Sequence, residues 1–141
     1  MIESITICSS SKFYDTAQRA EEAFRRFGFT VYTPRYDWNE QLVQVGESDK
    51  IWLTHEFLAK ITKSDAVFVV ANGGYTGASV CVEVGYAFGQ KKTVLFSEPP
   101  AEFALRALMD AVVPVDSIDD SVRWIGQATA AKRSDAVGND E

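Results

Sequence analysis

Five consecutive apolar residues, Ala66-Val67-Phe68-Val69-Val70, lie between the polar Lys63-Ser64-Asp65 and the turn-rich Asn72-Gly73-Gly74. A half-exposed strand alternates apolar and polar side chains, so a short continuous run of this kind suits a strand in a sheet covered on both faces. The rest of the chain repeats the theme. Ser4 to Cys8 is a β-branched strand broken by Ser9-Ser10-Ser11-Lys12, and Tyr14 to Phe27 keeps helical spacing through Ala17, Ala20, Ala23 and Phe24, with Gly28 where a C-cap glycine belongs. Phe29 to Thr33 reads as a strand stopped by Pro34, and Arg35 to Lys50 as a long polar loop. Ile51 to Ile61 reads as a helix, Val80 to Gln90 as a mostly apolar helix, and Thr93 to Phe96 as a strand. Phe103 to Met109, Val112 to Val115 and Ile118 to Ala131 supply helix, strand and helix.

Strand and helix therefore alternate five times, which predicts a three-layer α/β fold: a five-stranded, mainly parallel sheet with helices on both faces. The 141 residues suit one domain over 1–131, followed by a polar tail over 132–141 expected to be disordered. With 46% hydrophobic content and 12% aromatics the chain supplies its own core. No repeat or low-complexity tract is present, which excludes collagen-like, disordered and solenoid classes. A net charge of −6, from 14 Lys plus Arg against 20 Asp plus Glu, argues against duplex nucleic acid as a partner. No apolar run approaches the length of a membrane span and the first residues lead straight into a strand, so the expected location is cytoplasmic. Cys8 and Cys81 sit in apolar runs and read as small core residues; no metal site and no cofactor is expected.

In such sheets ligands bind beyond the carboxyl ends of the strands, where the strand order reverses. For the flavodoxin-like order 2-1-3-4-5 that point brings the Ser9 to Phe13 loop beside the Asn72 to Ser79 loop. The second loop holds three glycines and opens a helix for which Thr76 and Ser79 are plausible N-caps, a setting that favours an anion or a polar sugar. Glu83 is the single charge in Ser79 to Phe88, about one turn inside that helix, where the dipole favours the ionised form that a nucleophile or an oxocarbenium stabiliser needs. The competing reading puts Glu83, Ala87 and Gln90 on a narrow solvent stripe. His55 lacks the Ser or Cys constellation of triad chemistry and reads as a helix-surface residue, and Asp65, at the amino end of its strand, reads as a cap or turn residue. G-x-G-x-x-G, G-x-x-x-x-G-K-[ST] and H-E-x-x-H are all missing, and the loop after strand one contains no glycine, which makes FMN a minor option.

Lys63 to Val70, Gly74-Tyr75-Thr76-Gly77 and Glu83-Val84-Gly85-Tyr86-Ala87 together resemble the nucleoside 2-deoxyribosyltransferase-like superfamily, and Ser4 to Pro99 is similar to it in order. The resemblance implies a flavodoxin-like fold and an activity on nucleosides or nucleotides, as deoxyribosyltransferase or N-hydrolase, with Glu83 as the nucleophile on the anomeric carbon. The two loops at the switch point are expected to supply the substrate contacts, from Ser9, Ser10, Ser11, Phe13, Asn72, Gly74, Tyr75, Gly77 and Ser79. The chain departs from the family pattern at two places. Phe57, with Glu56 adjacent, stands where the family carries an assisting aspartate, which leaves Glu56 as the candidate acid. Gly77 stands where transferases have an aspartate and nucleotide hydrolases a serine. His55, Lys60-Ile61 and Gly74-Tyr75-x-Gly77 are similar to an uncharacterised branch of the superfamily.

The expected function is therefore cleavage or transfer at the N-glycosidic bond of a (deoxy)nucleoside, nucleotide or related metabolite. The alternative is a non-catalytic nucleotide-binding module using the same pocket. A homodimer is expected, because the resembling families complete their sites across subunits and because Trp38 and Trp52 lie in or beside the long loop as candidate anchors.

Overall fold

A computed structural model of the chain describes residues 1–127. The end of the last expected helix, through Ala131, and the expected polar tail over 132–141 lie outside the described residues. In chain order the elements are β1 (Ser4–Cys8), α1 (Tyr14–Arg26), β2 (Thr30–Tyr32), α2 (Glu47–Lys63), β3 (Ala66–Val69), α3 (Ala78–Gly89), β4 (Thr93–Phe96), α4 (Phe103–Arg106) and β5 (Ala111–Val112). A further helix, α5, runs over 118–127. The five strands lie in the order β2-β1-β3-β4-β5, and every pairing is parallel. The expected three-layer, flavodoxin-like architecture is the observed one.

The apolar run at β3 is covered on both faces because its side chains alternate between two cores. Ala66, Phe68 and Val70 pack with Ile5, Ile7, Phe24, Leu95 and Ile118 on the face of α1 and α5. Val67, Val69 and Ala71 pack with Cys8, Ile61, Val80, Val84 and Phe96 on the face of α2 and α3. Each fully buried aliphatic or aromatic side chain contributes about 1.5–3 kcal/mol through the water it sheds. Strand order is pinned at the amino ends by Asp65, whose carboxylate accepts from the backbone N–H groups of Glu3 at 2.8 Å and Ser4 at 3.1 Å. These bonds join two strands across 62 and 61 residues of chain, where a local cap or turn bond was expected. Thr6, the one polar side chain facing the core from β1, donates to Lys60 O and Ser64 Oγ.

Element boundaries differ from expectation where periodicity carries no signal. Helix α2 starts at Glu47, not Ile51, because its first turn is solvated and is closed by the Asp49 carboxylate accepting the Gly46 N–H at 3.1 Å. The polar loop is shorter by the same turn. Helix α3 starts at Ala78 with Gly77 as its N-cap, so neither Thr76 nor Ser79 caps it. Thr76 is buried instead, with its hydroxyl 3.7 Å from Cys81 Sγ. Helix α4 stops at Arg106 rather than Met109, and β5 lies at Ala111–Val112 rather than Val112–Val115, where a 3₁₀ turn over Val115–Ser117 follows. Among the described residues no helix is long and apolar enough to cross a membrane.

Candidate active site

Strands β1 and β3 are neighbours, so their carboxyl ends open side by side at the point where strand order reverses, and Val70 N donates to Cys8 O at 2.9 Å there. A cavity of about 420 Å³ occupies this place. Ser9, Ser10, Ser11 and Lys12 line it from the loop after β1, and Tyr75 to Val80 from the loop and first turn before Glu83. The two suspected loops thus meet, with Phe13 edge-on to Tyr75 at 5.9 Å between ring centres.

Backbone conformation makes this possible at Gly77, whose φ of 81° and ψ of 163° lie where side-chain-bearing residues are strained, so that the chain can turn sharply into α3. At Gly74 a Cβ would meet Ala101 N at 3.0 Å, so this glycine lets the loop after β4 close against the back of the site rather than touching the cavity.

Glu83 points inward. The residue keeps some exposure, but its Oε1 is buried with no hydrogen-bond partner. Ala87 is fully buried, so of Glu83, Ala87 and Gln90 only Gln90 is exposed, and the solvent side of the helix around Glu83 is carried by Val82 at 55% and Phe88 at 52% exposure. The solvent-stripe reading is therefore excluded. Burial pushes the carboxyl from its ordinary 4.5 up to about 8, against the opposing pull of the Lys50 ammonium and of a hydrogen bond with the Cys8 thiol. This reverses the expectation from the helix dipole, whose influence fades beyond the first turn, whereas Glu83 sits on the second turn of α3. The same environment acts on its neighbours: burial, then the Glu83 charge, raises the Cys8 thiol well above its ordinary range and Tyr14 to about 12.

The opposite wall comes from α2 and the polar loop, of which the sequence suggested only Glu56 for the site. Lys50, Leu53, Thr54 and Phe57 line the cavity, a stripe with helical spacing i, i+3, i+4, i+7, together with Tyr14, Pro34, Arg35, Trp38, Glu40 and Gln41. Lys50 is tethered to Glu40 at 2.7 Å, and Gln41 reaches across to Ser11 Oγ at 3.1 Å. Trp38 rests edge-on against Trp52, which in turn carries the Arg35 guanidinium on its face.

Of the residues expected in the site, Ser9, Ser10, Ser11, Tyr75, Gly77, Ser79 and Glu83 share the cavity wall. Four do not. Glu56 falls off the inward stripe of α2 and is held by Arg35 at 3.3 Å and Lys60 at 3.5 Å, so it orients Arg35 rather than facing the cavity. Phe13 supports Tyr75, Asn72 donates to Thr16 Oγ1 at 3.1 Å, and Gly74 packs on Ala101. His55 lies on the exposed side of α2. Among the described residues no group of three or more His, Cys, Asp or Glu side chains is placed to hold a metal ion.

Fold and cavity define a doubly covered parallel α/β protein with one desolvated carboxyl at the switch point of its sheet. Solved structures share that fold. A 2-deoxyribosyltransferase from the psychrotolerant bacterium Bacillus psychrosaccharolyticus is similar over 82% of this chain and 90% of its own, with a TM-score of 0.59 at 16% identity. A conserved protein from Enterococcus faecalis V583 is similar over 85% of this chain and 99% of its own, with a TM-score of 0.57 at 14% identity. At these identities the likeness is one of fold. No protein-family model matches the chain, and no curated protein sequence does.

Proposed function

We propose that the protein cleaves or transfers at the N-glycosidic bond of a (deoxy)nucleoside, nucleotide or related metabolite, with the Glu83 carboxylate as nucleophile. The observation that carries this reading is the buried, unpartnered Glu83 Oε1 in a cavity of about 420 Å³ with polar and aromatic walls. The shared fold with an enzyme that is a 2-deoxyribosyltransferase supports it. A glutamate oxygen attacks C1′ as the bond to the base breaks, the transition state is oxocarbenium-like, and the sugar is left as an ester on Glu83. Water then releases it as a hydrolase would, or a second base takes it as a transferase would. The Ser9-Ser10-Ser11 loop and Ser79 supply hydroxyls for the sugar side.

Incubating the protein with a panel of nucleosides and nucleotides, with and without an acceptor base, and reading free base by chromatography tests the proposal. Base release that disappears in Glu83→Gln is the expected result. The second reading, a nucleotide-binding module without turnover, is favoured by the burial of that carboxyl, which pushes its pKa up to about 8 and keeps it mostly neutral at pH 7. Tight binding with no base released at any pH between 7 and 9 would select it. We also propose a homodimer through exposed apolar residues of α2 and α3, Ile51, Trp52 and Phe88, beside Val82 at the mouth of the cavity. A monomeric mass by light scattering at micromolar concentration excludes it.

A further inference from the structure

Cleaving an ordinary nucleoside makes two demands at once, an anion at C1′ and a proton for the departing nitrogen. Glu83 meets the first once it is ionised. Among the described residues, the groups that face it from the surrounding elements are poorly suited to the second. Cys8 on β1 and Tyr14 on α1 hold their protons more tightly than usual, with Tyr14 at about 12. Arg35 is engaged by Asp37 at 2.7 Å and Glu56 at 3.3 Å, and Lys50 by Glu40 at 2.7 Å, where Glu40 is an ion-pair acceptor. Lys12 stands over the Tyr75 ring at 4.7 Å. Where α2 turns its stripe to the cavity it presents Phe57, a ring with no proton to give, and Glu56 is turned away.

We propose that the substrate is an N-glycoside whose leaving nitrogen already carries a positive charge, a pyridinium N-riboside such as nicotinamide riboside or its 5′-phosphate. The inference rests on the glycosidic reading above and names its substrate class. Such a bond breaks without a general acid. A Glu83 oxygen forms the bond to C1′, the C1′–N electron pair moves onto the ring nitrogen, and nicotinamide leaves neutral. Water then attacks C1′, the ester bond to Glu83 breaks, and the proton of that water passes to solvent. At Glu83 the site favours a cation over a neutral base. Oε1 is a buried acceptor with no partner, and a positive charge bound beside it relieves its desolvation and draws it into the ionised form, whereas a neutral ligand would deepen that desolvation. Tyr14, Trp38 and Phe57 line the same cavity, and aromatic rings are the side chains that attract a flat cation.

Wild-type protein is incubated separately with nicotinamide riboside, its 5′-phosphate, inosine and 2′-deoxyinosine, and free base is measured by chromatography, each rate divided by the uncatalysed rate in the same buffer. Acceleration of nicotinamide release should exceed that of hypoxanthine by about 10²-fold or more, the scale on which a missing general acid is felt. Whether the riboside or the phosphate is faster identifies which form of this class is used. In parallel, binding of the 1-methylnicotinamide cation, methylated on the ring nitrogen, is measured by calorimetry. It should tighten about tenfold from pH 7 to pH 9 as Glu83 ionises and should vanish in Glu83→Gln. Equal or greater acceleration with inosine or deoxyinosine overturns the inference and leaves the glycosidic reading standing. No base from any substrate overturns both, and pH-dependent binding in that case selects the non-catalytic module.

Discussion

Replacing Glu83 by Gln turns a desolvated titrating group into a neutral isostere, and the consequence for stability is calculable. In the unfolded chain this carboxyl releases its proton near 4.5, whereas in the fold it keeps it until about 8. Between those values the folded state holds more protons than the unfolded one, so stability falls as pH rises through the window; the loss is absent below it and complete above about 8. At about 1.4 kcal/mol for each pH unit, the full penalty is about 5 kcal/mol, and about 2–3 kcal/mol of it accrues between pH 6 and pH 9. Urea denaturation of wild type and Glu83→Gln at those two pH values isolates this contribution, because burial, the larger cause of the raised Cys8 and Tyr14 values, is kept in both proteins and holds both protons over this range. The wild type should lose about 2–3 kcal/mol more than the variant on going from pH 6 to pH 9, and the variant should be the more stable of the two at pH 9. Parallel stability curves across that range would refute the placement of the carboxyl in a desolvated pocket, and with it the reason for assigning chemistry to it.

Further outcomes follow from the same geometry. If Glu83 reacts as the carboxylate, kcat/KM for base release should rise about tenfold from pH 7 and level off above about 8, as pH-rate profiles will read. Lys50→Met should move that rise to higher pH by removing the cation that favours the charged form, and Lys50→Arg should restore it. Gly77→Ala should cost about 1–3 kcal/mol in chemical denaturation, since φ 81° and ψ 163° suit glycine alone. Phe68→Ala should cost about 3–5 kcal/mol by the same assay, because Phe68 is fully buried with its ring 5.3 Å from Phe24; a loss under 1 kcal/mol would contradict the core described for α1 and β3.

How much of this was readable beforehand depends on what each residue's signal is made of. The run at Ala66 to Val70 announced its double cover because strand alternation and burial are encoded in the same residues. Gly28 was readable because its role is local, a left-handed residue (φ 86°) just past the end of α1, whereas the partners of Asp65 were not, because Glu3 and Ser4 lie 62 and 61 residues away in the chain. The first turn of α2 was not, since Glu47 to Lys50 is solvated and leaves no apolar period to detect. Half the cavity wall was hidden for a related reason: Lys50, Leu53, Thr54 and Phe57 are spaced like any helix face, and spacing alone does not distinguish a stripe that covers a core from one that lines a hole. Glu56 was misplaced by one helical step, about 100° of rotation, which is enough to take a carboxylate from the cavity to the Arg35 guanidinium. The charge state of Glu83 was misjudged because the sequence shows the helix that carries it and not the depth at which it ends.

The Asp65 clamp holds β1 and β3 in register from the amino edge of the sheet, through the N–H groups of Glu3 and Ser4. Everything that touches the cavity hangs from the opposite edge or from the flanking helix. Alignment and chemistry are thus written at different ends of the same strands, and the loops after β1 and β3 are free to be exchanged without a slip in pairing. A scaffold divided in this way can change what it binds while keeping how it folds, and grafting new loops at 9–13 and 72–77 onto an untouched Asp65 edge is the natural route to altering its specificity.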